Sequence, residues 1–343
     1  MAKSSSKLPA VTIVIEWENA IDVEDEWTGV AMAGLERELA RSGAKMEAKP
    51  RVLYMYDETR VDPAIIRKFV AAHAPRLEEV SKLELVPTPG MAYYDLKNLG
   101  ISKAKTDFAI VLDSDAAPQP GWLEGLLRPF KDPKIMVVAG FTVLAHEDVK
   151  SRAMALSWFF DLPSEPEATL KRERLHANNF AVRTSFFADN PFPNLPLFKR
   201  HCAFWLKDII ARGHGFVRTA DAVAVHAPHP GFRYILWRGW QSGSDRDFEI
   251  FQEKSKNRIG RLARAGGFLL WKTGRSWSRI ITKGSKVGLR PWDWPYAMAV
   301  SLGYYAAAAT AEGWAALSRS YEPLPAGKPG GESLAKRVER ANV

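Results

Sequence analysis

Short apolar runs alternate with helix-like stretches through the first half of the chain, and this alternation restricts the fold more than any other feature. Residues 11–15 form an unbroken run of β-branched side chains, and further apolar runs occupy residues 51–56, 83–86, 108–112 and 135–139. Helix signals lie between them, at residues 27–42, 62 onward, 91–104 and 120–130. Fully apolar strands that alternate with helices form a mainly parallel sheet covered on both faces. We therefore predict an α/β fold of this kind.

Acidic residues directly follow three of the predicted strands. They are Glu16 and Glu18 after the first strand, Asp57 after the second, and Asp113 and Asp115 after the fourth. Ligands of parallel sheets collect at the carboxyl ends of the strands. We therefore expect these carboxylates to surround one site, although a solvated turn is the alternative for Asp57.

Asp113-Ser114-Asp115 places two carboxylates two positions apart in a predicted turn. Such a pair can converge on a hard cation such as Mg²⁺ or Mn²⁺. A cation held in this way can neutralise a diphosphate and stabilise it as a leaving group. The alternative is an Asx-type turn that caps the next helix without a metal.

The surroundings of this triplet resemble the family 2 glycosyltransferases, whose domain has the GT-A fold. An apolar strand, Asp-Ser-Asp, the sequence Pro-Gln-Pro-Gly-Trp-Leu and a predicted helix follow one another in the order typical of the family. The upstream segment 94–101, Tyr-Asp-Leu-Lys-Asn-Leu-Gly-Ile, is similar to the helix that leads into the family's metal strand. The resemblance covers roughly residues 10–230.

This resemblance implies a Rossmann-like GT-A domain that binds a nucleoside-diphosphate sugar, with a UDP-sugar as the expected donor and Mn²⁺ or Mg²⁺ as the cofactor. It implies Asp113, Asp115 and His226 as metal ligands, and a neutral imidazole suits such a site. The residues expected at the nucleotide are Glu16, Glu18, Asp57, Lys97, Asn98 and Asp113. An ordinary helix surface is the alternative for Lys97 and Asn98, and a backbone-bonded loop histidine is the alternative for His226.

The expected catalytic base departs from the family pattern. Inverting members carry Glu-Asp before a helix that ends in a glycine turn, whereas this chain has His201-Cys202 at that place. Histidine can act as a general base near neutral pH, so His201 is the candidate, with a helix-cap role as the alternative. The missing pair leaves a catalytically silent GT-A-like interaction module as a second hypothesis. A nucleotidyltransferase is a third, but residues 16–20 lack the Gly-rich, basic phosphate loop that it needs.

Polar and aromatic residues further along the chain are candidates for the acceptor side. The resemblance places Asn178 and Asn179 on an acceptor-side strand, where their amides could bind sugar hydroxyls; amides that satisfy a turn are the alternative. Trp240 could stack on a sugar ring. The predicted reaction is therefore hexosyl transfer to a glycan or lipid-linked acceptor, and the resemblance implies inversion.

Residues 251–290 form a strongly basic segment. They contain eleven Lys or Arg and one acid, Glu253, in a chain whose net charge is +9. Tryptophan and leucine interleave with these cations, as in helices that lie on anionic membrane surfaces. We rank a membrane surface ahead of packing on the catalytic domain, and both ahead of nucleic acid. Residues 296–311 carry no charge but are too few for a secure membrane span.

The chain is predicted to divide into three parts. These are a GT-A domain over residues 1–245, a basic, Trp-rich helical appendage over 246–322, and a disordered tail over 323–343 rich in Pro, Gly and charge. The one cysteine, Cys202, fits a reducing compartment, and residues 1–9 lack the apolar core of a secretory signal. We therefore expect a cytoplasmic protein, which the basic segment would hold at the inner face of the cytoplasmic membrane if it binds lipid.

Overall fold

A computed structural model describes residues 7–322, apart from residues 23–24, 159, 163, 167–169, 171 and 229–230. The strands are β1 (Val11–Glu16), β2 (Arg51–Tyr56), β3 (Lys82–Pro87), β4 (Phe108–Asp113), β5 (Ala116–Pro118), β6 (Ile135–Leu144), β7 (Asn179–Arg183) and β8 (Gly215–His226). They form one eight-stranded sheet in the order β3-β2-β1-β4-β7-β6-β8-β5. The predicted tail, residues 323–343, lies outside the described residues.

The first four strands are all parallel, and β6 also runs parallel to β8. β1 and β4 are buried at every position, as their unbroken apolar sequences predict for central strands. β7 is antiparallel to both β4 and β6, and β5 is antiparallel to β8. The predicted α/β fold with a mainly parallel sheet is confirmed, and it brings the carboxyl ends of β1, β2 and β4 to one edge.

Helices cover both faces of this sheet. They are α1 (Glu18–Asp22), α2 (Asp25–Ser42), α3 (Pro63–His73), α4 (Leu77–Val80), α5 (Tyr93–Ser102), α6 (Trp122–Leu127), α7 (Val149–Ser157), α8 (Thr184–Asp189) and α9 (His201–Ala211). Apolar side chains of α2, α3 and α6 pack in one core, and those of α5, α8 and α9 pack in another. The predicted cap is present, because the Asp62 carboxylate accepts from the Ala64 amide at 2.8 Å and Pro63 opens α3.

One strand is longer than the sequence pattern indicated. The sequence pattern indicated a strand at residues 135–139, but β6 is continuous from Ile135 to Leu144. Gly140 marks a close approach inside the strand, since a Cβ there would meet the Ala222 carbonyl and the Asn179 amide at 2.5 Å. The strand also changes register with β8 between Ala139 and Phe141.

Three long helices complete the described chain: α10 (Phe232–Glu253), α11 (Arg258–Lys283) and α12 (Trp294–Ser318). α10 and α12 approach closely, because a Cβ on Gly243 would lie 1.9 Å from the Ala308 carbonyl oxygen. The uncharged run 296–311 forms most of α12, and its buried side chains pack with α7 in a third core. The predicted boundary at residue 245 falls inside α10. In the described part of the chain no helix has the length and apolarity needed to cross a bilayer.

Candidate active site

Asp113, Asp115 and His226 meet at the carboxyl edge of the sheet. Asp113 ends β4, His226 ends β8, and Asp115 lies directly before β5. β5 pairs with β8 so that Ala116 lies opposite His226, and the Ala227 amide donates to the Asp115 carbonyl at 2.8 Å. As a result one ligand atom from each of the three side chains lies within 4.8 Å of the others.

The chemistry of this cluster fits a divalent cation. Asp115 is buried, and its Oδ1 has no hydrogen-bond partner within the described residues. Burial raises the pKa of Asp115 above its ordinary value, and the neighbouring His226 opposes that rise. His226 Nδ1 lies 2.9 Å from the Ala227 carbonyl oxygen, which favours the tautomer that leaves Nε2 as a lone pair 3.4 Å from Asp115 Oδ2. An unsatisfied buried carboxylate beside an imidazole lone pair is a suitable set of Mn²⁺ or Mg²⁺ ligands.

Asp113 is held by three polar side chains. Lys97 Nζ lies 2.5 Å from Oδ1, while the Tyr93 hydroxyl and the Asn19 amide each donate to Oδ2 at 2.8 Å. Lys97 is completely buried and also donates to the Ala177 carbonyl at 2.6 Å. Lys97 therefore neutralises and orients Asp113, a role that the structure supports better than direct contact with nucleotide or phosphate.

Glu16 ends β1 beside Asp113 and Glu18 opens α1, but neither residue belongs to the cavity wall. Glu16 is buried, and its Oε2 accepts from the backbone amide of Asn19 at 3.0 Å. Burial, and then the charge of Asp113, raise the pKa of Glu16 well above its ordinary value. Within the described residues, Glu16 Oε1 and Glu18 Oε2 are buried without a hydrogen-bond partner. Neither carboxylate lines the cavity described below.

Two other predicted nucleotide contacts have local roles in the fold. The Asp57 carboxylate accepts from the Thr59 amide at 2.9 Å and from its hydroxyl at 2.7 Å, and these bonds lower the pKa of Asp57. Asp57 nevertheless follows β2 at the same edge as the metal cluster. The Asn98 amide is buried and exchanges two hydrogen bonds with the Phe192 backbone, at 3.0 and 3.1 Å.

A cavity of about 480 Å³ opens at the metal cluster and extends to the C-terminal helices. Asn178 lines it and accepts from the Thr142 hydroxyl at 3.0 Å. Asn179 does not, because its amide bonds the Trp122 indole at 2.7 Å and the carbonyls of Phe141 and Ala222. Trp240 is exposed outside the lining, whereas its helix neighbours Trp237 and Gln241 face the cavity.

The candidate base His201 lies away from this cavity. It is the first residue of α9 and is buried, with Nε2 3.1 Å from the Leu195 carbonyl oxygen and its ring 4.3 Å from the Tyr94 ring. The side chain is not part of the cavity lining. The base role of His201 therefore stays a prediction without geometric support.

Several residues of the site were not identified from the sequence. Asn19 and Tyr93 hold Asp113, and Lys199 lines the cavity. Asn19 follows the first acidic strand end, so its position was a usable signal. Lys199 lies in the loop before α9, where nothing local distinguishes it. Burial, and then the charge of Arg238, lower the pKa of Lys199 to about 8.

A mainly parallel sheet with two aspartates and a histidine at one edge, beside a cavity, agrees with the glycosyltransferase class to which the chain is similar. Residues 81–192, roughly a third of the chain, match the model of the family described as Glycosyl transferase family 2. A stretch of 43 residues is 49% identical to the pre-mycofactocin glycosyltransferase of Mycobacterium tuberculosis, in strains CDC 1551 / Oshkosh and ATCC 25618 / H37Rv. That stretch covers 12% of this chain and 9% of the relative.

The fold has a solved counterpart over most of its length. The mannosyltransferase PcManGT from Pyrobaculum calidifontis, in complex with GDP-Man and Mn²⁺, superposes with a TM-score of 0.54. The alignment covers 92% of this chain and 90% of that one at 16% identity, a likeness of fold. The predicted resemblance to the family 2 glycosyltransferases and the predicted GT-A fold are thus confirmed.

Proposed function

We propose that this enzyme takes its sugar from a nucleoside-diphosphate sugar whose diphosphate binds a divalent cation, Mn²⁺ or Mg²⁺, on Asp113, Asp115 and His226. The observation that carries the proposal is the convergence of these three side chains, within 4.8 Å, at the mouth of a cavity large enough for a ligand. The cation supplies charge neutralisation to the departing diphosphate. The family resemblance favours a UDP-sugar, and PcManGT holds GDP-Man, so both nucleotides belong in the test.

The surrounding side chains prepare this site before any ligand arrives. Lys97, Tyr93 and Asn19 fix the Asp113 carboxylate, so it loses little freedom on binding. The cavity walls shield the anomeric carbon from water while a hydroxyl of a glycan or lipid-linked acceptor attacks it, with the inversion that the resemblance implies. His201→Gln tests the predicted base: loss of turnover with unchanged donor binding would support it.

Equilibrium binding of UDP, GDP and their sugars, with and without Mn²⁺, tests the donor proposal. We expect metal-dependent binding by the wild type, and a loss of more than about tenfold in Asp115→Ala. Asp221→Ala is the matched control, because Asp221 is exposed and pairs only with the half-exposed Arg128 within the described residues. Metal-dependent donor binding that survives intact in Asp115→Ala would refute the proposal.

We also propose that α11 attaches the enzyme to an anionic bilayer surface, at the inner face of the cytoplasmic membrane. One side of α11 exposes an apolar stripe at helical spacings, formed by Ile259, Leu262, Leu270, Trp277 and Ile281. The helix packs on the protein through another side, which includes Ala265, Phe268 and Ile280. The apolar stripe of this amphipathic helix is therefore not covered by the protein core. A lipid interface provides an apolar environment that can cover it.

Charge supports the same surface. Some cations of residues 251–290 form ion pairs within the protein. Arg261 is buried and donates two hydrogen bonds to the Asp247 carboxylate, and Lys283 pairs with Glu165. Within the described residues the exposed cations of this region that have no ion pair are Lys254, Lys256, Arg258, Arg264 and Arg275. Anionic headgroups attract such side chains by about 1 kcal/mol each.

Vesicle co-sedimentation tests the attachment. We expect binding to vesicles of phosphatidylcholine with phosphatidylglycerol, and loss of that binding when Arg258, Arg264 and Arg275 are changed to Glu. The matched control carries the same change at three exposed cations of the GT-A domain, Arg60, Lys68 and Lys82. Equal binding of the two triple variants would rule out α11 as the membrane surface.

A further inference from the structure

The cavity contains a cationic region that the donor site does not use. Its lining includes four cations, Arg174, Arg200, Arg246 and Lys272, beside the aromatic side chains Phe268, Trp271, Tyr304 and Tyr305. The charged neighbours of Lys272 are Arg275, Arg174, Arg246 and Arg200. Those of Asp115 are His226, Asp113 and Lys199. The charged groups that act most strongly on Lys272 therefore differ from those that act most strongly on Asp115.

Carboxylates of the protein balance only part of this positive charge. Arg200 pairs with Glu249 at 2.5 Å, and Arg246 pairs with Glu312 at 2.8 Å. Lys272 forms no ion pair with any carboxylate in the described part of the chain, although it is partly buried against the rings of Trp271 and Phe268. Burial, and then repulsion from Arg275, lower the pKa of Lys272 to about 8. Like charges gathered in a concave, partly dry space favour an anionic ligand there.

Position on α11 connects this region to the proposed membrane surface. Leu270 and Trp271 directly precede Lys272 and are 77% and 56% exposed. Trp271 also lines the cavity. A single turn of α11 thus presents apolar side chains outward and a cation inward. A ligand that reaches the cavity here passes from an apolar surface to a cluster of guanidinium and ammonium groups, which bind phosphate well.

We propose that Lys272, with Arg200 and Arg246, binds a phosphate group of the acceptor, which reaches the cavity as the head of an amphiphile. This inference rests on the proposed function, because the acceptor hydroxyl must approach a donor held at the metal cluster. The acceptor is then a molecule that carries a phosphate group. The cations that bind this phosphate are different from those near the donor diphosphate. The aromatic wall at Trp271 and Phe268 covers the first carbons behind the phosphate.

Calorimetry on the full chain with octyl phosphate, octanol and inorganic phosphate tests this assignment. We expect octyl phosphate to bind the wild type, and to bind Lys272→Gln at least about tenfold more weakly, because one charge-assisted hydrogen bond is lost. Lys272→Arg keeps the charge and should retain most of the affinity. Arg264→Gln is the matched control, since Arg264 is an exposed cation of the same helix outside the cavity lining.

The outcomes separate the possible sources of the anion. Octanol that binds as tightly as octyl phosphate, or equal losses in Lys272→Gln and Arg264→Gln, would overturn the phosphate site. Inorganic phosphate that binds as tightly as octyl phosphate would assign the site to free phosphate and overturn the amphiphile. A matching loss of Mn²⁺-dependent UDP and GDP binding in Lys272→Gln would show that these cations serve the donor. If the wild type binds no nucleotide, the proposed function itself fails, whereas failure of octyl phosphate alone removes only this inference.

Discussion

Asp115→Asn is expected to change the stability of the protein in opposite directions with and without a divalent cation. In the metal-free protein the buried carboxylate has one oxygen that no described residue satisfies. The substitution keeps the shape of the side chain and removes its charge. His226 Nε2 lies 3.4 Å from Asp115 Oδ2, so a small shift lets the new amide donate a hydrogen bond to it. Without metal, the variant should therefore be the more stable protein.

The expected sizes of the two effects are comparable. The substitution removes a buried charge and adds a hydrogen bond to His226, so metal-free Asp115→Asn should gain about 1–3 kcal/mol in its free energy of unfolding. Mn²⁺ at a concentration of about 100 times its dissociation constant stabilises the wild type by about 2.7 kcal/mol. The variant has lost a charged ligand, so its gain should be much smaller. Each kcal/mol of stability changes Tm by about 2–4 °C. The melting temperatures of wild type and Asp115→Asn should therefore exchange order as Mn²⁺ is added.

Thermal and urea unfolding in EDTA and in rising Mn²⁺ measures both effects. Asp221→Asn is the control, because an ion pair between two half-exposed side chains contributes no more than about 1 kcal/mol. If wild type and Asp115→Asn gain equal stability from Mn²⁺, Asp115 is not a ligand. If the variant is the less stable protein in EDTA, the buried charge of Asp115 does not carry the cost assigned to it.

Three further predictions concern the packing around the site. Lys97→Met leaves the buried Asp113 carboxylate without its cation and should lower the free energy of unfolding in urea by about 3–5 kcal/mol; a loss below about 1 kcal/mol would contradict the pairing. Gly243→Ala overpacks α10 against α12 and should lower the free energy of unfolding by about 1–3 kcal/mol. Gly274→Ala, in open space on α11, should raise it by about 0.5–1 kcal/mol. The reverse order of the two melting temperatures would refute the close contact between α10 and α12. Burial raises the pKa of Glu312 from 4.5 to about 7, so the folded state holds a proton that the unfolded state has released between those values. The stability of wild type relative to Glu312→Gln should therefore fall by about 3 kcal/mol as pH rises from about 4.5 to 8, and a flat difference would contradict this assignment.

The candidate metal site was largely predictable from local sequence. Asp113 and Asp115 follow an apolar strand, and strand ends of a parallel sheet share an edge, so their position could be inferred without a structure. His226 was expected from the family resemblance, and the structure brings it to the same cluster. Lys97 was harder to interpret, since its sequence position fits a helix surface. Only the packing of α5 under β4 shows that its side chain is buried against Asp113.

Other positions show where sequence patterns fail. Trp240 and Trp237 are both plausible sugar-stacking residues, but the rotation of α10 directs only Trp237 to the cavity. His201 takes the place of the family's base, and its ring packs on Tyr94 instead of facing the cavity. A side chain's direction depends on what its helix packs against, and a linear pattern does not contain that information.

The sequence by itself determined the α/β class, the acidic strand ends and the amphipathic character of α11, because apolar periodicity and strand-end chemistry are local properties of the chain. The tertiary structure alone decided which of those groups meet. The pairing of β5 with β8 places His226 beside Asp115, and the docking of α11 turns one apolar stripe outward while it directs Lys272 into the cavity. Both arrangements depend on contacts between residues far apart in the chain. Such contacts are determined by the packing of the whole core, which a local sequence pattern does not contain.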